Sequence, residues 1–153
     1  MTKTVASMVL GLGMLSALGC GGGSSAQGGS TTATAESAPR FAQISVDEVA
    51  AGIAGPDRRL AVFDANSRET YDQRHVPGAT WVDYDAVARE QLPSDPATPL
   101  VFYCWNESCS ASHVAAESAI AMGFSSVFVM GAGIEGWVAA GQPVEGAAAT
   151  ATP

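Results

Sequence analysis

The chain has 153 residues, 47% hydrophobic and 14% charged, enough for one small domain with its own core. Fifteen acidic against seven basic side chains give a formal net charge of -8, and Lys3 is the only lysine. With no basic cluster, nucleic acid is excluded as an expected partner, and charge alone would not hold the folded part on an anionic membrane.

The N-terminus reads as an export signal. Lys3 gives a short basic end, and residues 5–18 are apolar or small, too short to span a bilayer comfortably. The stretch closes on Leu15-Ser16-Ala17-Leu18-Gly19-Cys20. It resembles the lipobox of bacterial lipoproteins, in which small residues lead into a cysteine that is acylated and becomes the new N-terminus; Ala17 stands where Leu is commoner. The resemblance implies a signal peptide over residues 1–19 and lipidation at Cys20. It also implies a protein of the bacterial cell envelope, lipid-anchored in a membrane. Gly21 after the cysteine implies the outer membrane, facing the periplasm. Between Cys20 and Pro39, which bound the segment 20–39, residues 21–38 are Gly, Ser, Thr, Ala and Gln with one acid, Glu36. They offer almost nothing to bury and read as a flexible tether.

The folded domain is expected over residues 40–146, with a frayed Ala/Thr tail at 147–153. Ser45-Val46-Asp47-Glu48 is a capping box that opens a helix to about residue 53. Residues 60–64 form an apolar run read as a buried strand, and 66–73 a short capped helix. His75-Val76-Pro77-Gly78-Ala79 is a turn, Trp81-Val82 a brief strand, and residues 84–90 a helix. Pro93, Pro96 and Pro99 fence a loop before the strand at 100–103. Small or apolar residues then recur at Ala111, Val114, Ala115, Ser118, Ala119 and Met122, the spacing of one helix face, and Gly123 ends it. A strand at 126–130 and a helix at 134–140, ended by Gly141 and Pro143, complete the pattern. Strands alternating with helices define an α/β class with a mostly parallel sheet flanked by helices.

The reactive signal lies between the strand at 100–103 and the helix after it. Cys104 ends the strand, Trp105-Asn106-Glu107-Ser108 forms a polar loop, and Cys109-Ser110 leads into the helix. In parallel sheets, reactive loops sit at the carboxyl ends of strands. A thiol there meets free backbone N–H groups and the positive end of a helix dipole, so Cys104 is expected to favour the thiolate. Three cysteines are present; lipidation of Cys20 leaves Cys104 and Cys109 as a pair, able to form a disulfide in an oxidising compartment. Cys104, Cys109 and His113 also spell C-x4-C-x3-H, but three ligands without a fourth argue against structural zinc, and no metal site is assigned. His113 is expected on an exposed helix face, His75 in a structural turn, Asp64 bracing a neighbouring loop, and Trp137 in the core. Trp105 either walls a pocket or docks a partner.

Together these segments resemble the rhodanese domain. The first carrier is Asp64-Ala65-Asn66-Ser67-Arg68-Glu69-Thr70-Tyr71 with His75-Val76-Pro77-Gly78-Ala79, similar to the family's Asp-x-Arg...Glu-x-Tyr...Gly-His-Ile-Pro-Gly-Ala signature. The second is the strand, Cys104, loop and helix. The third runs from Gly123-Phe124 through Met130-Gly131-Ala132-Gly133-Ile134 and Trp137 to Gly141-Gln142-Pro143-Val144, similar to the family's closing Gly-Gly-Ile-x-x-Trp...Gly-x-Pro-Val. The resemblance implies a rhodanese-like three-layer fold and sulfane sulfur transfer through a cysteine persulfide, with no cofactor. Cys104 is the implied nucleophile, and the backbone amides of Trp105, Asn106, Glu107, Ser108, Cys109 and Ser110 the implied cradle. Cys109 is a second catalytic candidate: it resolves a Cys104 intermediate as a disulfide, carries sulfur onward, or only fills the place of an Arg.

This chain departs from the family in three places. Cys109 replaces an Arg common at the loop's end, Glu107 replaces a Gly, and Asn66 replaces the Arg after the first motif's Asp. A neutral-to-acidic loop suits a polysulfide or persulfide donor better than dianionic thiosulfate, with a thiol as acceptor. The related phosphatases need Arg six positions after the cysteine, where this chain has Ser110. The alternatives to a sulfurtransferase are a Cys104/Cys109 dithiol-disulfide redox protein and a non-catalytic rhodanese-like binding module.

Overall fold

A computed structural model describes residues 41–147. The expected signal peptide, Cys20, the tether and the tail beyond Ala147 lie outside the described residues. Among the described residues, five strands and four α-helices follow in order. They are β1 (Ala42–Gln43), α1 (Val46–Ile53), β2 (Ala61–Asp64), α2 (Arg68–Gln73), β3 (Thr80–Trp81), β4 (Leu100–Tyr103), α3 (Ala111–Ala121), β5 (Val127–Val129) and α4 (Gly133–Ala139). The sheet order is β1-β5-β4-β2-β3, with every pairing parallel. Among the described residues no helix is long and apolar enough to cross a membrane.

Strand β4 is the centre of the sheet and explains where the cysteine goes. All four of its residues are buried, as expected of a parallel strand covered on both faces. Side chains alternate along a strand. Leu100 and Phe102 therefore pack on one face with Phe63, Ala115, Ala119 and Phe124, against α3. Val101 and Tyr103 pack on the other with Val49, Val76, Met130 and Trp137, against α1 and α4. Cys104 falls on the α3 side and joins that first cluster. Trp137 is buried as expected, its indole N–H donating to the Pro143 carbonyl at 2.7 Å.

The capping box forms as read. The Ser45 N–H donates to Glu48 Oε2 at 2.9 Å, and the Glu48 N–H donates to Ser45 Oγ at 3.3 Å. Three expectations change. The helix over 84–90 is absent; only a 3-10 turn at Arg89–Gln91 forms. Ala88 is extended at φ -87, ψ 137, and its N–H is taken by the Gln91 side chain at 3.0 Å, so a helix cannot run through it. The short helix starts at Arg68, because Ser67 rather than Asn66 caps it, Oγ accepting from the Thr70 N–H at 3.2 Å. Helix α3 is also turned relative to the expected face. Ser112, Ala115, Ala116 and Ala119 are buried, while Val114 is exposed.

Candidate active site

Two polar braces fix the carboxyl ends of β2 and β4. Asp64 is fully buried. Its Oδ1 accepts from the Asn66 N–H at 2.8 Å, and its Oδ2 accepts from the Tyr103 hydroxyl at 2.5 Å. The same hydroxyl accepts from the Val76 N–H at 3.0 Å. Burial pushes the Asp64 carboxyl above its usual range, and the Tyr103 hydroxyl and the Asn66 amide oppose that shift. Burial likewise drives the Tyr103 phenol far up, with Asp64 adding to it. Asp64 is thus the loop brace its motif implied: it locks Tyr103, the residue before Cys104, to the turn that starts at His75. That turn is itself tied down. His75 Nδ1 lies 2.7 Å from the Tyr71 carbonyl, and its ring stacks on Tyr71 at 3.9 Å. The Tyr71 hydroxyl donates to the Ala79 carbonyl at 2.9 Å, and Gly78 N–H donates to Glu145 Oε2 at 2.9 Å.

The second brace comes from α4. The Ile134 N–H donates to the Cys104 carbonyl at 2.9 Å, and the Glu135 N–H to the Trp105 carbonyl at 3.1 Å. This close approach requires Gly133. It sits at φ +63, and a Cβ there would lie 2.4 Å from the Trp105 carbonyl oxygen.

Between the braces lie the cysteines, neither in a disulfide. Cys104 is only 2% exposed. Its Sγ donates to the Cys109 carbonyl oxygen at 3.2 Å and lies 3.3 Å from Ser112 Oγ. Cys109 is half-buried at the rim. The resting Cys104 is a thiol, contrary to the thiolate expected from its strand-end position. Burial pushes it up and its hydrogen bond to Cys109 adds to this, while Ser112 opposes. Cys109 goes the other way. Burial alone would raise it, but hydrogen bonds from the Cys104 thiol and from the backbone of Trp105 and Ala111 bring it below its ordinary value. Part of the expected amide cradle is committed elsewhere. The Cys109 N–H donates to the Asn106 carbonyl at 3.0 Å, and the Ser108 N–H to Asn106 Oδ1 at 3.1 Å.

The remaining loop side chains face outward. Trp105, Glu107, Ser108 and Ser110 are exposed, and Asn106 Nδ2 donates to Glu135 Oε2 at 2.7 Å. A cleft of 410 Å³ runs between this outer side of the loop and α4, and neither cysteine lines it. His113 is half-buried and stacks on Phe41 at 5.2 Å. Among the described residues no group of three His, Cys, Asp or Glu is arranged to hold a metal.

Sequence reasoning missed two neighbours. Ser112 contacts the Cys104 sulfur; it sits in the first turn of α3, three and four positions ahead of the buried Ala115 and Ala116, which is the signal that could have found it. Arg74 places its guanidinium over the Trp105 ring at 4.9 Å, bringing to the loop a cation that the loop itself lacks. It comes from the end of α2, thirty-one positions from Trp105, where spacing along the chain gives no hint.

An all-parallel sheet in this strand order, with a cysteine one residue past the central strand, defines a class of α/β domains built around a strand-end thiol. Residues 45–140 match the family model of the rhodanese-like domain, and the chain belongs to that family. Among solved structures it is similar to a Bacillus halodurans protein, at 21% identity over 73% of this chain and 82% of that one, with a TM-score of 0.64. It is similar to the rhodanese-like domain of an Anabaena protein, at 20% identity over 72% and 83% of the two chains and a TM-score of 0.62. It also matches a thiosulfate sulfurtransferase from Pseudomonas aeruginosa, at 28% identity and a TM-score of 0.58, over 72% of this chain but 20% of that one.

Proposed function

We propose that this protein is a rhodanese-like sulfurtransferase of the bacterial cell envelope, tethered to a membrane through an acylated Cys20. Cys104 attacks the sulfane sulfur of a polysulfide or hydropersulfide donor. The new Cys104 S–S bond replaces the donor's own S–S bond, and the donor departs as a thiolate. The sulfur then passes to a thiol acceptor. The observation that carries this reading is the position of Cys104, one residue past the central parallel strand and ahead of α3. Two N–H groups from the start of α4 support it further, because they hold the carbonyls of Cys104 and Trp105 and so fix the direction of the thiol.

The Cys104 thiol donates to the Cys109 carbonyl oxygen, and the Cys109 thiol, brought below its ordinary value, is the neighbouring group that takes the Cys104 proton as it attacks. Intact mass after incubation with a hydropersulfide tests the reading. Wild type and Cys109→Ser should each react, Cys109→Ser retaining one added sulfur, and Cys104→Ser should retain none. A Cys104→Ser protein that takes up and passes on sulfur as wild type does would sink it. The anchor is tested separately: Cys20→Ala should release the protein from membranes or leave the precursor uncleaved, and a mature form without lipid mass would defeat that part.

A further inference from the structure

Three features frame the fate of a sulfur atom once it sits on Cys104. The thiol is 2% exposed, so only small molecules reach it, and a thiol on another protein has poor access. Cys109 is half-buried at the rim, and its carbonyl oxygen accepts from the Cys104 thiol at 3.2 Å. Neither sulfur is held in a disulfide, so both are available to exchange.

We infer that Cys109 is a second catalytic thiol, which, when no external acceptor takes the sulfur, resolves the Cys104 persulfide internally and releases its sulfur as hydrosulfide, leaving a Cys104–Cys109 disulfide. The inference rests on the sulfurtransferase reading. The atoms balance. Cys104 loads as a persulfide, its proton passing to Cys109. That proton then moves from Cys109 to the terminal sulfur, and the Cys109 thiolate attacks the inner sulfur, Cys104 Sγ. The Sγ–S bond of the persulfide breaks and HS⁻ leaves with the electron pair. The sulfane sulfur is reduced, and the two cysteines are oxidised to the disulfide. A small dithiol or two monothiols then reduce that disulfide and restore both cysteines.

Attack on the outer sulfur instead would move the persulfide to Cys109 and expel the Cys104 thiolate. The structure disfavours that branch, since Cys104 is the buried partner and burial raises its thiol. Exchange runs toward the better leaving group, and hydrosulfide leaves more readily than a thiolate formed in an apolar site. The loop is also short enough for closure: four residues separate the cysteines, and the Cys104 sulfur already lies 3.2 Å from the Cys109 carbonyl oxygen.

The test uses the reduced full-length chain under anaerobic conditions, one equivalent of glutathione hydropersulfide, and an iodoacetamide quench. Intact mass counts added sulfur and alkylated thiols, and a parallel assay counts hydrosulfide. Wild type should lose two alkylatable thiols and release about one equivalent of hydrosulfide, in step with disulfide formation. Cys109→Ser should hold one added sulfur on Cys104, with a lifetime on the order of tenfold longer or more. The inference is overturned if wild type retains an added sulfur as long as Cys109→Ser does, on either cysteine. A Cys109→Ser protein that gains no sulfur at all refutes the sulfurtransferase reading instead, so the two failures are told apart.

Discussion

The Tyr103 hydroxyl is the most informative single group to remove, because it connects the family's first motif to the thiol. Tyr103→Phe takes away the donor to Asp64 Oδ2 and the acceptor of the Val76 N–H, both fully buried. A hydrogen bond to a charged group contributes about 1.5–3 kcal/mol, and a buried N–H left without a partner costs about 1–3 kcal/mol. The benzene ring still fills its place, so no cavity term is added. The expected loss is therefore about 3 kcal/mol or more at neutral pH, and in a domain of this size it lowers Tm by about 10 °C or more. The loss should also depend on pH. Asp64 has a raised value in the folded state, so the stability its protonation supplies is full below about pH 4 and is lost as pH rises through that raised value. Tyr103→Phe removes a group that holds the shift down, so the folded value climbs further and the loss grows toward neutral pH. Urea titrations followed by tryptophan fluorescence at pH 4.5 and pH 7 read both effects. A loss under about 0.5 kcal/mol at pH 7, or an equal loss at both pH values, refutes the reasoning.

Three further outcomes are expected. Gly133→Ala puts a methyl 2.4 Å from the Trp105 carbonyl at a positive φ and should cut the persulfidation rate by about tenfold or more, while Gly141→Ala, at φ +72 with open space around it, should cost only about 1–2 kcal/mol of strain and leave the rate unchanged; equal effects on rate would refute the loop-anchoring role. Ser112→Ala removes a contact that opposes the upward shift of Cys104, so the pH profile of Cys104 alkylation, read in a Cys109→Ser background, should move to higher pH without a comparable change in Tm; an unshifted profile counts against the contact. Glu107→Arg should raise the rate with thiosulfate relative to polysulfide by about two- to fivefold, the range expected of an exposed charge screened by salt; if thiosulfate is already the better donor in wild type and the ratio does not move, loop charge does not set donor choice.

Much of the scaffold was legible because it rests on patterns longer than a few residues. The run Leu100-Val101-Phe102-Tyr103 is apolar on both faces, as suits a strand buried on both sides, and it marked β4 and the strand end at which Cys104 sits. The Asp64 brace was legible from its motif, and its contacts to the Asn66 N–H and the Tyr103 hydroxyl form it. Other features were not. Strand β1 is two residues long and carries no periodicity. Residues 84–90 have helical composition, but the tertiary path holds Ala88 extended. In α3 so many residues are small that the apolar stripe has no clear phase, and only packing against β4 turns Ser112 inward and Val114 outward. The state of the thiol was read wrongly for a related reason. A strand end and a helix start predict free amides, but a loop of this sequence turns on Asn106, which takes the N–H groups of both Ser108 and Cys109.

That turn carries the chemical difference between this loop and one tuned only to hold an anion. A persulfide anion is stabilised by convergent N–H donors. Here the Cys109 carbonyl faces the Cys104 sulfur, and a carbonyl favours the protonated form. The unloaded site therefore holds a buried thiol at the strand end, pushed up by burial, and a rim thiol brought below its ordinary value. Loading Cys104 with sulfur replaces its S–H by an S–S⁻, which has no proton to give the carbonyl, so that contact turns from attractive to repulsive. The loop must then move, or the sulfur must leave. Of those two responses, departure needs no rearrangement of the braces from β2 and α4, which hold the backbone on both sides of Cys104. The same carbonyl that keeps the resting thiol protonated thus biases the loaded site toward discharge. On this argument the loop is better suited to turning sulfur over than to storing it.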